Sequence, residues 1–157
     1  MSIYFRKNGV YLITGGLGGV GLVLALYLAK HFRAKLILIS KSPLPSEKEW
    51  DQHINNPQTD KKLVSRLRAL KEIKTYSENI IIFAADVAKY KKLLQITIQA
   101  NKAFGGINGV IHAAAVSESI KQRQNLHQIQ AQFHAKVSGA KNLIKLFGCE
   151  KLDFILF

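Results

Sequence analysis

The glycine-rich segment 14–21 holds the residue types and spacing that most clearly indicate chemistry. It reads Thr-Gly-Gly-Leu-Gly-Gly-Val-Gly, which contains T-G-x-x-x-G-x-G and, overlapping it, G-x-G-x-x-G at Gly16, Gly18 and Gly21. Because glycine has no side chain, we expect Gly16 to make a tight turn, Gly18 to let a pyrophosphate approach the backbone, and Gly21 to let a helix pack closely on a sheet. The N–H groups of a helix N-terminus would face the phosphates. A tight turn without a ligand is the alternative.

Ser40 and Lys41 follow the second apolar run, at the place where a dinucleotide site recognises the ribose. A site for NAD usually has a carboxylate here, about 20 residues after the glycines, which holds the ribose hydroxyls. A carboxylate would repel a 2′-phosphate, whereas a hydroxyl and an ammonium attract it. This pair therefore favours NADPH over NADH. The alternative for Lys41 is an ordinary loop lysine.

Five short apolar runs supply the strands that would position these residues. Their hydrophobicity is nearly continuous rather than alternating, which is typical of strands buried on both faces of a parallel sheet. The runs are residues 10–13, 36–39, 80–83, 110–111 and 152–157.

Helical patterns lie between the runs. They cover residues 19–32, 61–77, 89–104 and 125–147. We expect the third to end at Gly105-Gly106, and Ser46 and Glu49 to form a capping box that opens a short helix. The fourth carries apolar residues at three- and four-residue spacing, which predicts one buried stripe. The stripe consists of Leu126, Ile129, Phe133, Val137, Ala140, Ile144 and Phe147.

This alternation of strands and helices predicts the fold class. With right-handed crossovers it gives an α/β fold, a Rossmann-like doubly wound parallel sheet with helices on both faces. About five strands are visible, and no helix follows the fifth. Because a parallel strand needs cover on both faces, we expect the sheet to be incomplete. Residues 1–157 would then be a single, partial NADP-binding domain whose C-terminal part is missing.

The segment from Tyr11 to Gly21 resembles the opening of the ketoreductase domains of modular polyketide synthases and animal-type fatty acid synthases. These domains belong to the short-chain dehydrogenase/reductase superfamily. Further landmarks occur in the family's order over nearly the whole chain. They are Leu38-Ile39-Ser40-Lys41-Ser42, Ala85-Asp86-Val87, Gly109-Val110-Ile111-His112-Ala113-Ala114, Lys136-Val137-x-Gly139-Ala140-x-x-Leu143, and Leu152-Asp153-Phe154.

The resemblance implies a cofactor-binding set for NADPH. The glycine turn would line the pyrophosphate and adenosine cradle, the residues after the second strand would face the 2′-phosphate, and later loops would contact the adenine and the nicotinamide ribose. In that order, the set is Thr14, Gly15, Gly16, Leu17, Gly18 and Gly21; Ser40 and Lys41; Asp86 and Val87; and His112, Ala113 and Ala114.

Lys136 matches the family's catalytic lysine, on the helix before the strand that leads to the catalytic serine. The resemblance implies that its positive charge lowers the pKa of a catalytic tyrosine, which protonates the substrate carbonyl while NADPH delivers hydride. The serine, tyrosine and asparagine of the family would fall after Phe157, and all five tyrosines of the chain lie too early. Two further departures are Lys41, where the family usually has arginine, and Ala115, where it usually has glycine.

Net charge is the unusual bulk property: 23 Lys and Arg against 10 Asp and Glu give +13. Such an excess attracts polyanions and acidic proteins. The lysines are scattered, with no basic run of five or more, so we do not expect specific nucleic-acid binding. The longest apolar stretch is too short to span a bilayer, which excludes a membrane span. A single cysteine, Cys149, suits a reducing compartment, and we expect a cytoplasmic protein.

The sequence therefore favours a fragment of an NADPH-dependent β-ketoacyl reductase domain, an oxidoreductase of polyketide or fatty acid biosynthesis. The intact domain would reduce a β-ketone to a β-hydroxyl on an acyl carrier protein, with the remainder of a synthase chain as its other partner, and the chain alone would be inactive. The five histidines do not have metal-ligand spacing, and Glu118 is a lone loop carboxylate. A non-catalytic NADP-binding or interaction module stays open, as does charge-driven nucleic-acid binding.

Overall fold

A parallel five-stranded sheet forms the centre of the protein. The computed structural model describes residues 4–114, 134–149 and 151–157. In this part of the chain the sheet order is β3-β2-β1-β4-β5, with every neighbouring pair parallel. This confirms the expected Rossmann-like fold. The strands are β1 (Val10–Thr14), β2 (Lys35–Ser40), β3 (Ile80–Ala84), β4 (Gly109–His112) and β5 (Phe154–Leu156).

Helices connect the strands and cover both faces of the sheet. Their predicted positions are confirmed to within a residue or two, except in the last one, where residues His134–Ser138 form a π-helical turn that the sequence did not predict. The predicted residues 125–133 of that helix lie outside the described residues. The helices are α1 (Gly19–Phe32), α2 (Trp50–Asn55), α3 (Lys61–Tyr76), α4 (Tyr90–Phe104) and α5 (Gly139–Phe147).

Local signals mark where these helices begin and end, and those predicted at Ser46, Glu49 and Gly105 are confirmed. Ser46 and Glu49 form the capping box before α2, whose first turn is a 3-10 turn at Glu47–Glu49. Gly105 ends α4 with φ +81°, a left-handed conformation that glycine adopts without strain. The Asp60 carboxylate caps α3 by accepting from Leu63 N at 3.0 Å.

Two apolar cores lie on opposite faces of the sheet. Alternate residues of β1 point to opposite sides, so Tyr11 and Ile13 pack with α1, α2 and α3, whereas Leu12 packs with α4 and α5. Both cores contain fully buried residues of β2 as well. This burial on both faces explains why the strand sequences are almost continuously apolar.

The stripe predicted for the last helix is confirmed at Phe147 and wrong at Val137 and Ile144, while Leu126, Ile129 and Phe133 lie outside the described residues. Val137 and Ile144 are 43% and 54% exposed, while Leu143 and Phe147 are buried against the sheet. The reason lies at Gly139, where α5 comes so close to β4 that a Cβ would lie 2.8 Å from His112 Cε1. This approach turns the face of Gly139, Leu143 and Phe147 inward.

The N-terminal segment packs against β5 across the amino end of the sheet. The guanidinium of Arg6 donates to both carboxylate oxygens of Asp153, with Nε 2.6 Å from Oδ2, and this pairing raises the pKa of Arg6. Phe5 contacts the Phe154 ring edge-on at 5.3 Å, and Tyr11 stacks on the same ring. Residues 147 positions apart in sequence are thus held together at this end of the molecule.

Candidate functional site

The candidate site lies at the carboxyl edge of the sheet, between β1 and β4. The chain runs from β1 outward to β2 and β3, then crosses back to place β4 on the other side of β1. In open parallel sheets this reversal leaves a crevice beyond the strand ends, where ligands bind. Thr14 and His112, the last residues of β1 and β4, are direct partners across this position.

Gly15 makes the turn that leaves β1. It has φ +68°, and a Cβ there would lie 2.5 Å from the carbonyl oxygen of Ala113. Only glycine meets both constraints without strain. The tight turn predicted at Gly16 lies one residue earlier, at Gly15. The loop is also tied to β2, because Gly16 N donates to Ile39 O at 3.0 Å.

Gly16 and Gly21 permit close packing of backbone. A Cβ on Gly16 would lie 2.8 Å from Leu38 Cβ in β2. A Cβ on Gly21 would overlap the carbonyl oxygen of Gly15. The close approach predicted for Gly21 is therefore confirmed, but its neighbour is the glycine turn rather than the sheet.

The N-terminus of α1 points into the same crevice. Gly18 is its N-cap, and no side chain caps the helix there. The first N–H groups of a helix have no partner within it, and here they carry the positive end of the helix dipole. A Cβ on Gly19 would have nothing within 4 Å, so space is open beside these groups. Such a cradle suits the two phosphates of a dinucleotide.

Thr14 and Leu17 belong to the same segment, but their side chains face inward. Both are buried, Leu17 in the core shared with α1. Thr14 Oγ1 lies 2.6 Å from Nδ1 of His112. These two residues therefore contribute backbone to the crevice, while their side chains hold the turn in place.

The residues predicted for the adenosine end come together beyond β2 and β3. Ala85 N donates to Ser40 O at 2.8 Å, which brings the loop after β3 beside the end of β2. Nζ of Lys41 lies 3.6 Å from Oδ2 of Asp86, an ion pair that the sequence did not predict. The Lys41 side chain is 83% exposed, so its ammonium is free to turn toward a phosphate.

Hydrogen bonds hold Asp86 and Val87 in the loop that follows β3. Ala88 N donates to Oδ1 of Asp86 at 2.9 Å, which fixes the carboxylate over its own turn. Val87 is buried, and its carbonyl accepts from Nδ2 of Asn142 at 3.0 Å. The loop after β3 is thereby connected to α5, a contact that sequence spacing could not reveal.

His112, Ala113 and Ala114 form the wall beside β4. Ala113 N donates to Thr14 O at 3.0 Å, which continues the pairing of β1 and β4 past the strand ends. Nε2 of His112 lies 3.2 Å from the carbonyl oxygen of Lys136. The ring of His112 thus joins β1, β4 and the π-helical turn.

Lys136 lies in that π-helical turn and is exposed. Its backbone is brought to the carboxyl edge of the sheet by the contact with His112. Gly139 follows nearly one turn later, where a Cβ would lie 2.8 Å from His112 Cε1. Gly139 was part of the sequence landmark, but its packing role was not predicted. The structure therefore brings Lys136 and His112, two of the predicted site residues, together.

Comparison with known proteins shows the family of the chain. The family model described as "KR domain" matches residues 9–157. The chain belongs to the KR domain family. The polyketide synthase PksM of Bacillus subtilis (strain 168) is 31% identical over 153 residues, which are 97% of this chain and 3% of that synthase. The chain therefore spans a small part of the curated relative that it matches.

Solved structures show the same fold. A ketoreductase from the macrolactin assembly line superposes with a TM-score of 0.72 and 31% identity, covering 99% of this KR chain and 28% of that one. Carveol dehydrogenase from Mycobacterium avium, solved in complex with NAD, gives a TM-score of 0.66 at 16% identity, over 92% of this chain and 50% of that one. The second likeness shows the fold alone.

Neither a membrane-spanning helix nor a metal-binding cluster occurs in the part of the chain that the structure describes. In residues 4–114 and 134–149, no helix is both long and apolar enough to cross a membrane. Within the same ranges and 151–157, no group of three or more His, Cys, Asp or Glu side chains is placed to hold a metal ion.

Proposed function

We propose that this KR chain binds NADPH along the carboxyl edge of its sheet and serves the reduction of a β-ketoacyl thioester to a β-hydroxyacyl thioester. The observation that carries the proposal is the glycine turn at the switch point between β1 and β4. There Gly15 has φ +68°, Gly21 packs on its carbonyl, and the uncapped N-terminus of α1 faces open space. This cradle would be filled by side chains in any sequence without these glycines.

Each part of the cofactor has residues that fit it. Backbone N–H groups of Leu17 and of residues 19–21 would hold the pyrophosphate, because those of Gly16 and Gly18 donate to Ile39 O and Gly15 O. Thr14 and Leu17 would fix the turn. Ser40 and Lys41 would bind the 2′-phosphate, which is why we propose NADPH rather than NADH. Asp86 and Val87 would contact the adenine. His112, Ala113 and Ala114 would border the nicotinamide ribose.

Bound NADPH supplies a hydride for the carbonyl carbon of the substrate. The role proposed for Lys136 is electrostatic: its ammonium favours the phenolate form of a tyrosine acid and so lowers the pKa of that phenol. A positioned proton donor is needed for the developing alkoxide, since losing one such donor typically costs about 10²–10³ in rate. We propose that the serine and tyrosine of the site come from sequence beyond this chain. The chain would then act as the cofactor-binding part of a KR domain.

The helices α4 and α5 offer a surface for an acidic partner. Residues 87–114 and 134–149, which include both helices, contain seven lysines and no carboxylate. All seven side chains are exposed, and the structure shows no ion pair for them within the described residues. On the opposite face, Asp51 and Glu47 pair with Lys71 and Lys74 of α3. We propose that the α4–α5 layer faces an acidic acyl carrier protein.

The test is a titration of the folded chain with NADPH and NADH, followed by a turnover assay with a β-ketoacyl thioester. We expect saturable binding that is tighter for NADPH. We expect no turnover by the chain alone, and turnover when it is expressed within a polypeptide that supplies the serine and tyrosine. Binding without turnover in both forms would instead favour a non-catalytic NADP-binding module. No saturable binding would contradict the proposed function.

A further inference from the structure

We propose that His112 is a positioning residue for Lys136. Its imidazole, held on one side by Thr14, fixes the backbone carbonyl of Lys136 and so sets the point from which the lysine side chain leaves the helix. The inference rests on the catalytic role proposed for Lys136 and deepens it, because it names the group that places the lysine.

Two hydrogen bonds to described residues indicate which nitrogen of the His112 ring carries the hydrogen. Nδ1 of His112 lies 2.6 Å from Thr14 Oγ1, and Nε2 lies 3.2 Å from the Lys136 carbonyl oxygen. A carbonyl oxygen can only accept, so Nε2 must carry a hydrogen and donate it. In the neutral ring Nδ1 then has a lone pair, which accepts the hydrogen of the Thr14 hydroxyl. The two contacts therefore select the Nε2–H tautomer.

The sheet side of this connection is rigid. Thr14 is fully buried at the end of β1, and His112 is its direct partner at the end of β4. A buried hydroxyl requires a hydrogen-bond partner, and the His112 ring supplies it. The ring is thus held by two adjacent strands of the sheet.

The helix side is held at three levels. The first is the Lys136 carbonyl in the π-helical turn, a local widening of a helix that is often found at functional sites. At the second, Gly139 lets the helix touch the His112 ring and Val87. At the third, Asn142 donates to the Val87 carbonyl at 3.0 Å. Of these three, only the hydrogen bond from His112 is made to Lys136 itself.

The position of Lys136 matters because its proposed role is electrostatic. The interaction of an ammonium with a phenolate weakens with distance. A misplacement of about 1 Å in a catalytic arrangement can cost about 10²-fold in rate. A connection at the main chain of Lys136 removes one source of such misplacement, although the side chain itself is long.

The first test uses the cofactor-free 157-residue chain with ¹⁵N labels. At mildly alkaline pH, long-range ¹H–¹⁵N spectra should show a protonated Nε2 and an unprotonated Nδ1 for His112. A predominant Nδ1–H tautomer would overturn the proposal, because Nε2 could not then donate to the Lys136 carbonyl.

The second test compares His112→Gln with His112→Leu. The glutamine amide nitrogen reaches a position similar to that of Nε2 and can donate to the same carbonyl, whereas leucine fills space without donating. We expect the amides of residues 139–143 to exchange about fivefold faster in the leucine variant, as the loss of one hydrogen bond implies, and at the original rate in the glutamine variant. Equal exchange rates in both folded variants would overturn the proposal.

A labelling measurement separates positioning from mere structure. Reductive methylation of the Lys136 amine is followed with and without saturating NADPH. We expect NADPH to slow the labelling in the original chain and in His112→Gln, but not in His112→Leu. A folded leucine variant that keeps full protection would overturn the proposal.

The two proposals fail in different ways. If the original chain does not bind NADPH, the proposed function fails, while the ring tautomer and the amide exchange still decide the role of His112. If His112→Leu does not fold, the tautomer and the glutamine variant decide it.

Discussion

Gly21, in the first turn of α1, lies against the carbonyl oxygen of Gly15, in the turn after β1. A Cβ at position 21 would overlap that oxygen and lie 2.8 Å from Gly16 Cα. These neighbours are backbone atoms, which cannot move aside as a flexible side chain can. The glycine turn and the helix N-terminus are therefore a single packed unit.

The first prediction follows for Gly21→Ala. The added methyl group must push the helix away from the turn, and overpacking of this kind typically costs about 1–3 kcal/mol. We expect a lower melting temperature, measured by circular dichroism, and loss of saturable NADPH binding, measured by cofactor fluorescence.

Gly19→Ala is the matched control. It adds the same methyl group two residues earlier, where nothing lies within 4 Å. We expect the melting temperature to be retained or slightly raised, since alanine favours a helix by about 0.5–1 kcal/mol over glycine. If both variants lower the melting temperature equally, the steric explanation is wrong.

The second prediction concerns Lys41. Its ammonium is exposed and pairs at 3.6 Å with Asp86, which leaves it able to turn to a 2′-phosphate. Losing a hydrogen bond to a charged group costs about 1.5–3 kcal/mol, or roughly tenfold to a hundredfold in affinity. We expect Lys41→Ala to weaken NADPH binding by that factor and to leave NADH binding unchanged.

Lys41→Arg is the control for this variant. It keeps the positive charge and adds a planar fork that suits phosphate, so we expect NADPH affinity to be retained or improved. Titrations with both cofactors at one salt concentration measure the two variants. An equal loss of affinity for NADPH and NADH in Lys41→Ala would contradict recognition of the 2′-phosphate by this lysine.

Local patterns in the sequence were sufficient to predict most of the fold. The apolar runs of β1, β2 and β4 became largely buried strands, while those of β3 and β5 became partly buried strands at the sheet edges. The capping box at Ser46 and the stop at Gly105 are set by neighbouring residues alone. The π-helical turn before α5 was not predictable in this way. Its contact with His112 joins residues 24 positions apart in sequence.

The same distinction holds for the candidate site. The glycine pattern pointed to the correct turn, but the positive φ falls on Gly15 rather than Gly16. The backbone of Ala113, which follows β4, leaves no room for a Cβ there. The pairs Lys41–Asp86 and Thr14–His112 also join separate segments. Only tertiary structure shows that these residues meet.

The third prediction tests the α4–α5 layer as the surface for an acidic carrier. Lys92→Glu combined with Lys141→Glu reverses two exposed charges in a layer that has no carboxylate in the described residues. We expect binding of an acidic acyl carrier protein to weaken roughly fivefold or more at low salt, and to depend less on salt.

Lys61→Glu combined with Lys62→Glu makes the same change in net charge on α3, on the opposite face. We expect little effect on carrier binding, measured by isothermal titration calorimetry. Equal weakening in the two double variants would mean that net charge, rather than the α4–α5 layer, attracts the carrier.

The fourth prediction concerns stability at alkaline pH. Tyr11 is fully buried, and burial raises the pKa of its phenol above the ordinary value of about 10. The folded state therefore holds the phenolic proton more tightly than the unfolded state does. The resulting contribution to the free energy of unfolding is complete below about pH 10 and is lost as the pH rises through the raised pKa. We expect urea unfolding midpoints to fall steeply above about pH 10.

Tyr11→Phe should flatten that part of the pH profile. It also removes the Tyr11 hydroxyl, which accepts a hydrogen bond from Arg6 N at 2.6 Å. We therefore expect the free energy of unfolding to fall by about 1 kcal/mol at neutral pH. Tyr4→Phe is the control, because Tyr4 is 76% exposed. If the unfolding midpoint of Tyr11→Phe still falls steeply at alkaline pH, the fall is caused by another group.

Binding of the dinucleotide by the glycine turn is tested most directly by backbone NMR of the labelled chain. On titration with NADPH, the amide signals of residues 16–21 should shift with a single saturable affinity, together with those of Lys41 and Ala113. Shifts confined to the exposed lysines of α4 and α5, or no saturable shift in residues 16–21, would contradict it.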